Sequence, residues 1–98
     1  MDVSFSAELF AWSGDKATWV FVALPLETSD AIDDATSLTG GFGSVKVVAT
    51  LGSTTWSTSL FPDKKRATYI LPVKKAVRSA EVVDVGDKAT FHLEVVHV

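Results

Sequence analysis

Six of the nine basic residues of this 98-residue chain fall within fifteen positions: Lys64, Lys65, Arg66, Lys74, Lys75 and Arg78. Ammonium and guanidinium groups gathered this way could neutralise phosphates or meet an acidic protein surface. A run of charge is also commonly the solvated side of a helix, and that reading stands beside the first. The net charge of −3 disfavours non-specific nucleic-acid binding by the chain as a whole. The distribution is lopsided, however: residues 1–50 carry two basic and seven acidic side chains, and residues 51–98 carry seven and five.

Other chemistry is thinner. His92 and His97 lie in one terminal strand, whose period of two sends them to opposite faces, so they cannot act together there. Ser57, Thr58 and Ser59 fall in a strand without the sharp turn a nucleophilic serine needs. Asp63 is a single carboxylate beside Lys64 and Arg66; it suits an ion pair, with Arg66 turned inward, better than an acid–base couple. Asp30, Asp33 and Asp34 lack the glycine-bearing spacing of a calcium loop and fit the start of a helix, with Ser29 as its cap. Gly40-Gly41-Phe42-Gly43-Ser44 leads from a helix into a strand, the reverse of a phosphate-cradling loop, and reads as a helix stop. No catalytic constellation, metal site or cofactor is expected.

The elements that position these residues follow from periodicity. Phe5, Ala7, Leu9 and Ala11 alternate with polar neighbours as one half-buried strand, and Trp12-Ser13-Gly14-Asp15 then turns the chain. Strands are expected from Ala17 to Leu24, Val45 to Leu51, Thr54 to Phe61, Ala67 to Leu71 and Lys88 to Val96. Gly52-Ser53 and Gly86-Asp87 make turns. A short helix carries Ile32, Ala35 and Leu38 on one face; a second places Val73, Ala76, Val77 and Ala80 at i, i+3, i+4 and i+7.

The halves match in element order, with Leu24-Pro25 answering Leu71-Pro72 and Gly43 answering Gly86. The fold expected is mainly β: a closed or nearly closed six-strand barrel of two ββαβ pseudo-repeats, about 3–51 and 54–98, with two short helices, forming one domain over 1–98. Six strands leave no room for a buried ligand, so Trp19, Phe21, Trp56, Tyr69 and Phe91 are expected in the core. No cysteine is present and no apolar run reaches the roughly 20 residues of a membrane span. With no basic, apolar leader at Met1-Asp2-Val3-Ser4, the expectation is a cytoplasmic domain without a secretory signal.

Several stretches carry a family resemblance. Ala17-Thr18-Trp19-Val20-Phe21-Val22 with Leu24-Pro25, Gly41-Phe42-Gly43-Ser44-Val45, Ser59-Leu60-Phe61-Pro62-Asp63-Lys64-Lys65-Arg66, Tyr69-Ile70-Leu71-Pro72-Val73-Lys74-Lys75-Ala76-Val77-Arg78 and Gly86-Asp87 are similar to a bacterial family of uncharacterised domains, domain of unknown function nineteen-oh-five. Some members are fused to a bacteriocin-protection-type domain. The resemblance implies a small β-barrel and no particular activity. A narrower likeness, over residues 66–95, is to the swapped-hairpin unit of AbrB-type regulators, which dimerise and bind DNA; the acidic balance and the two units in one chain depart from that pattern.

The reading is therefore a non-enzymatic binding or accessory module acting through Lys64, Lys65, Arg66, Lys74, Lys75 and Arg78, its partner unknown: an acidic protein surface or nucleic acid, and no membrane. The chain is expected as a monomer or weak homodimer. The alternatives are a nucleic-acid-associated regulator of swapped-hairpin type and an enzyme completed by another domain or subunit.

Overall fold

A computed structural model of the chain describes residues 1–13, 18–36 and 43–96. The element order is β1 (Asp2–Glu8), β2 (Phe10–Ser13), β3 (Thr18–Ala23), α1 (Leu26–Thr36), β4 (Val45–Leu51), β5 (Thr54–Asp63), β6 (Thr68–Pro72), α2 (Lys75–Glu81) and β7 (Lys88–Val95). All strands join one antiparallel sheet in the order β1-β7-β4-β5-β6-β3-β2. It curls into a half-barrel with a Cα radius of gyration of 12.9 Å.

The expected closed six-strand barrel is not what forms. The alternation from Phe5 to Ala11, read as one strand, is two strands on either side of Leu9. β1 pairs with β7 as far as Glu8, and β2 pairs with β3 from Phe10 onward. Leu9 leaves the ladder: its N–H donates to Asp87 O at 2.9 Å, and its carbonyl accepts from Gly86 N–H at 2.9 Å. Its side chain is fully buried. The chain thus bends to serve two neighbours in turn, and β1 and β2 become the two ends of a seven-strand order rather than one strand sealing a ring.

Exchanging β1 and β2 with β5, β3 with β6, and β4 with β7 carries each strand pair onto another strand pair. The narrower likeness to swapped-hairpin regulators is not borne out: β6 and β7, its two strands, are separated in the sheet by β4 and β5.

Alternation decides the interior. Phe5, Val20, Val22, Val47, Ala49, Leu51, Trp56, Leu60, Leu71, Phe91, Leu93 and Val95 turn inward and are buried, and Ile32 of α1 and Val77 of α2 join the same cluster. At roughly 25 cal/mol per Å² of apolar surface removed from water, this cluster is the main source of stability. Trp19 departs from expectation. It is 53% exposed, whereas Trp56 is 7% exposed. Val20 and Val22 take the inward positions of β3, so Trp19 and Phe21 must point outward.

The helices also differ from their expected form. Pro25 precedes α1, which starts at Leu26, so Ser29 lies inside it and is not its cap. Ser29 is buried, and its Oγ accepts the Tyr69 backbone N–H at 3.1 Å, tying α1 to β6. Asp33 and Asp34 consequently fall late in α1, away from the favourable end of the dipole, and only Glu27 stands in the first turn. In α2, Val77 is buried while Ala76 and Ala80 are exposed, narrowing the apolar face that the spacing suggested. Leu38, the Gly14–Asp15 turn, Gly40-Gly41-Phe42 and His97 lie outside the described residues.

Candidate functional site

The six cations divide between the two ends of β6. Lys64, Lys65 and Arg66 occupy the turn after β5, while Lys74 and Lys75 open α2 and Arg78 lies in its last turn. The intervening strand has five residues, a rise of roughly 17 Å. The two groups therefore stand at opposite ends of β6.

The turn is built around Asp63. Its Oδ1 accepts the backbone N–H groups of Lys65 at 3.0 Å and Arg66 at 3.4 Å, and its Oδ2 accepts Arg66 Nη1 at 2.8 Å. The Arg66 guanidinium, helped by the two amides, holds the Asp63 carboxyl below its ordinary range despite some opposing desolvation. Arg66 pairs with Asp63 as expected, yet it stays on the surface. Its guanidinium carbon stands 4.0 Å from the centroid of the Phe10 ring, within cation–π range. Lys64 and Lys65 are exposed.

At the other end, Lys74 is the N-cap residue of α2 without a side-chain capping bond, and both Lys74 and Lys75 are exposed. Arg78 is not part of a free surface. Its Nε donates to Val73 O at 3.1 Å and its Nη1 sits 3.7 Å from Asp84 Oδ1, so it braces the turns around α2.

Between the two groups lies a feature that no sequence motif marks. The outward positions of β2, β3, β6 and the end of β5 are Phe10 and Trp12, Trp19 and Phe21, Ile70 and Pro72, and Phe61. Register makes them contiguous: Trp12 opposes Trp19, Phe10 opposes Phe21, Phe21 opposes Pro72, and Phe61 opposes Ile70. Trp19 and Phe21 rings lie 6.5 Å apart at 19°, and Phe10 and Phe21 rings 6.0 Å apart. Trp12 is 57% exposed and Phe61 44% exposed. A shallow apolar groove of about 280 Å³ runs among Trp12, Trp19, Phe21, Phe61, Ile70 and Pro72. A second, also about 280 Å³, continues past Trp19 and Pro72 to Lys74, Lys75 and Arg78. Every charged residue lining these two grooves is a cation.

The signal was present in the sequence. Trp19-Val20-Phe21-Val22 is apolar at every position rather than at alternate ones, the pattern of a strand with apolar groups on both faces.

Other candidate groups serve the fold. Asp33 accepts the Tyr69 hydroxyl at 3.1 Å. Burial first, and the Asp33 carboxylate second, push the Tyr69 hydroxyl above its ordinary pKa. Ser57 and Ser59 face outward beside Lys46 on a shallow surface that also takes in Val48, Phe61 and Val96. The structure also aligns Ser4, His92 and Asp2, which the sequence reading did not connect: Ser4 Oγ lies 2.9 Å from His92 Nδ1, and His92 Nε2 lies 3.1 Å from Asp2 Oδ1. This is a cross-strand ladder in open solvent, with side chains of His92 and Asp2 48% and 65% exposed. A catalytic triad holds its carboxylate buried, so that the imidazolium is stabilised away from water. Ser6 Oγ with Thr90 Oγ1, at 2.8 Å, continues the same ladder.

Among the described residues no helix is long and apolar enough to cross a membrane. No curated protein matches the chain significantly. The family model described as a domain of unknown function (DUF1905) matches residues 5–93, and on that nearly complete match the chain belongs to this family.

Proposed function

We propose that this domain is a non-enzymatic binding or accessory module, and that it meets its partner on the outer face of β2, β3 and β6 with the cations at either end of that strip. One observation carries the reading: Trp12 and Trp19 oppose each other across two strands and are each more than half exposed. Exposed tryptophans add little to folding, and contiguous apolar surface on a small domain marks an interaction site. Arg66 borders it over the Phe10 ring and Lys74 and Lys75 border it beside Trp19 and Pro72, Lys64 and Lys65 share the turn of Arg66, and Arg78 holds the α2 end in place. The lack of cysteine supports a cytoplasmic setting.

Placing a photo-crosslinking residue at position 12, and in a second protein at position 57 on the polar face, tests this in the native cell. Adducts that form from position 12 and not from position 57 are expected. Equal labelling from both positions, or none from either, would remove the proposal.

A further inference from the structure

The strip has a composition that narrows its occupant. Five of its seven apolar side chains are aromatic: Phe10, Trp12, Trp19, Phe21 and Phe61. Rings offer flat faces to other flat faces. A cation stands at each end of the strip, Arg66 over the Phe10 ring in the turn it shares with Lys64 and Lys65, and Lys74 and Lys75 beside Trp19 and Pro72. The one carboxylate in the first group, Asp63, is held by Arg66.

This charge arrangement argues against a second copy of the chain as the occupant. Two copies facing each other about a twofold axis with their strips aligned would set cations against cations. It calls for a partner that brings flat rings and negative charge together along one line. We infer that the occupant is an unpaired stretch of nucleic acid, its bases stacking on Trp12, Trp19 and Phe21 and its phosphates meeting Lys74 and Lys75 at one end and Lys64 and Lys65 at the other. This rests on the binding face proposed above. The roughly 17 Å of β6 gives the strip room for a few nucleotides. Antiparallel sheet faces carrying exposed rings beside cations hold single strands in this way, and stacking accepts any base. A duplex keeps its bases stacked on each other and does not offer their faces. The net charge of −3 limits long-range attraction, so affinity belongs in the range of about 10⁻⁴ to 10⁻⁶ M.

The test uses the full chain and a dye-labelled twelve-base oligothymidine, read by fluorescence anisotropy at several salt concentrations, with a duplex of equal length as comparison. Saturable binding is expected, weaker for the duplex. Trp19→Ala should reduce affinity about 5- to 100-fold, and Trp19→Phe, which keeps a ring, should restore most of it. Replacing Lys74 and Lys75 together by Gln should lower the salt slope by about 0.7 for each phosphate no longer neutralised. Lys46→Gln on the polar face should change nothing. Thermal unfolding of each variant confirms that the fold survives. Equal affinity for duplex and single strand, no saturable binding, or a Trp19→Ala protein that binds as the parent does would each overturn the inference. Should sedimentation instead reveal a dimer that Trp19→Ala dissociates, the occupant is a second copy. Nuclease-resistant but protease-sensitive adducts from position 12 would identify a protein partner, keeping the face and discarding the nucleic acid.

Discussion

The outer surface of this sheet has two halves built on the same strand geometry and filled in opposite ways. Over β1, β7 and β4 the outward residues are Asp2, Ser4, Ser6 and Glu8, then Lys88, Thr90, His92 and Glu94, then Lys46, Val48 and Thr50. They pair across strands by hydrogen bonds, as Ser4 does with His92, Ser6 with Thr90, and Thr50 with Thr55 of β5. Over β2, β3 and β6 the outward residues are rings and aliphatics. Both halves turn apolar side chains to the buried cluster, so the presence of a core does not explain the difference. The polar half is what an antiparallel sheet facing water ordinarily looks like. The aromatic half exposes surface whose burial by a partner would be favourable, and folding alone gives no reason to place it there.

The largest effect that tests this contrast comes from truncating the same residue type on the two sides of the sheet. Trp56→Ala should destabilise the domain by roughly 3–5 kcal/mol, because it opens a cavity among buried side chains. Trp19→Ala should cost no more than about 1 kcal/mol, since its ring faces solvent. Denaturant unfolding of the two variants measures both values. Equal losses would mean that the aromatic half is part of the core.

A smaller effect is expected where α1 is tied to β6 beside the aromatic half. Ser29→Ala removes the acceptor for the buried Tyr69 N–H and should cost about 1–3 kcal/mol, the cost of an unmet buried donor. It should also raise hydrogen exchange at the Tyr69 amide. Unchanged exchange there would show that α1 does not hold this end of the strip.

The smallest effect concerns the cationic turn. Asp63 titrates below its ordinary value because Arg66 and two backbone amides favour the charged carboxylate. With its folded pKa below the unfolded one, its contribution is present above the unfolded value of 3.8 and fades as pH falls through the folded value. Arg66→Gln should move the Asp63 carboxyl back toward its ordinary range, read by NMR titration, and should increase exposure of the Phe10 ring. An Asp63 pKa that does not move would place the cause in the backbone amides alone.

Much of this was legible beforehand. The bounds of β4, β5, β6 and β7 fall within two residues of the sequence expectation, because alternation over Val45–Leu51 and Phe91–Val95 admits one period and Gly52 permits the tight turn between β4 and β5. Gly52 has φ +59°, and a Cβ there would collide with the Glu81 carboxylate. The Asp63–Arg66 pair was legible too, being local. The site was half legible. The cations were visible as a cluster in the chain, but their separation along β6 and the engagement of Arg78 with Val73 and Asp84 depend on contacts between elements.

Period, turn chemistry and charge belong to the chain alone. They specify a mainly β protein with two short helices, a basic segment from Lys64 to Arg78, and the likeness to its family. Each of these is set by neighbours within a few residues. Packing between distant elements decided that β1 and β2 part at Leu9, that the sheet stays a half-barrel of seven strands, and which face of Trp19-Val20-Phe21-Val22 meets the core. A strand apolar on both faces has no preferred side of its own. Only the packing of Val20 and Val22 against the buried cluster turned Trp19 outward, opposite Trp12, into water.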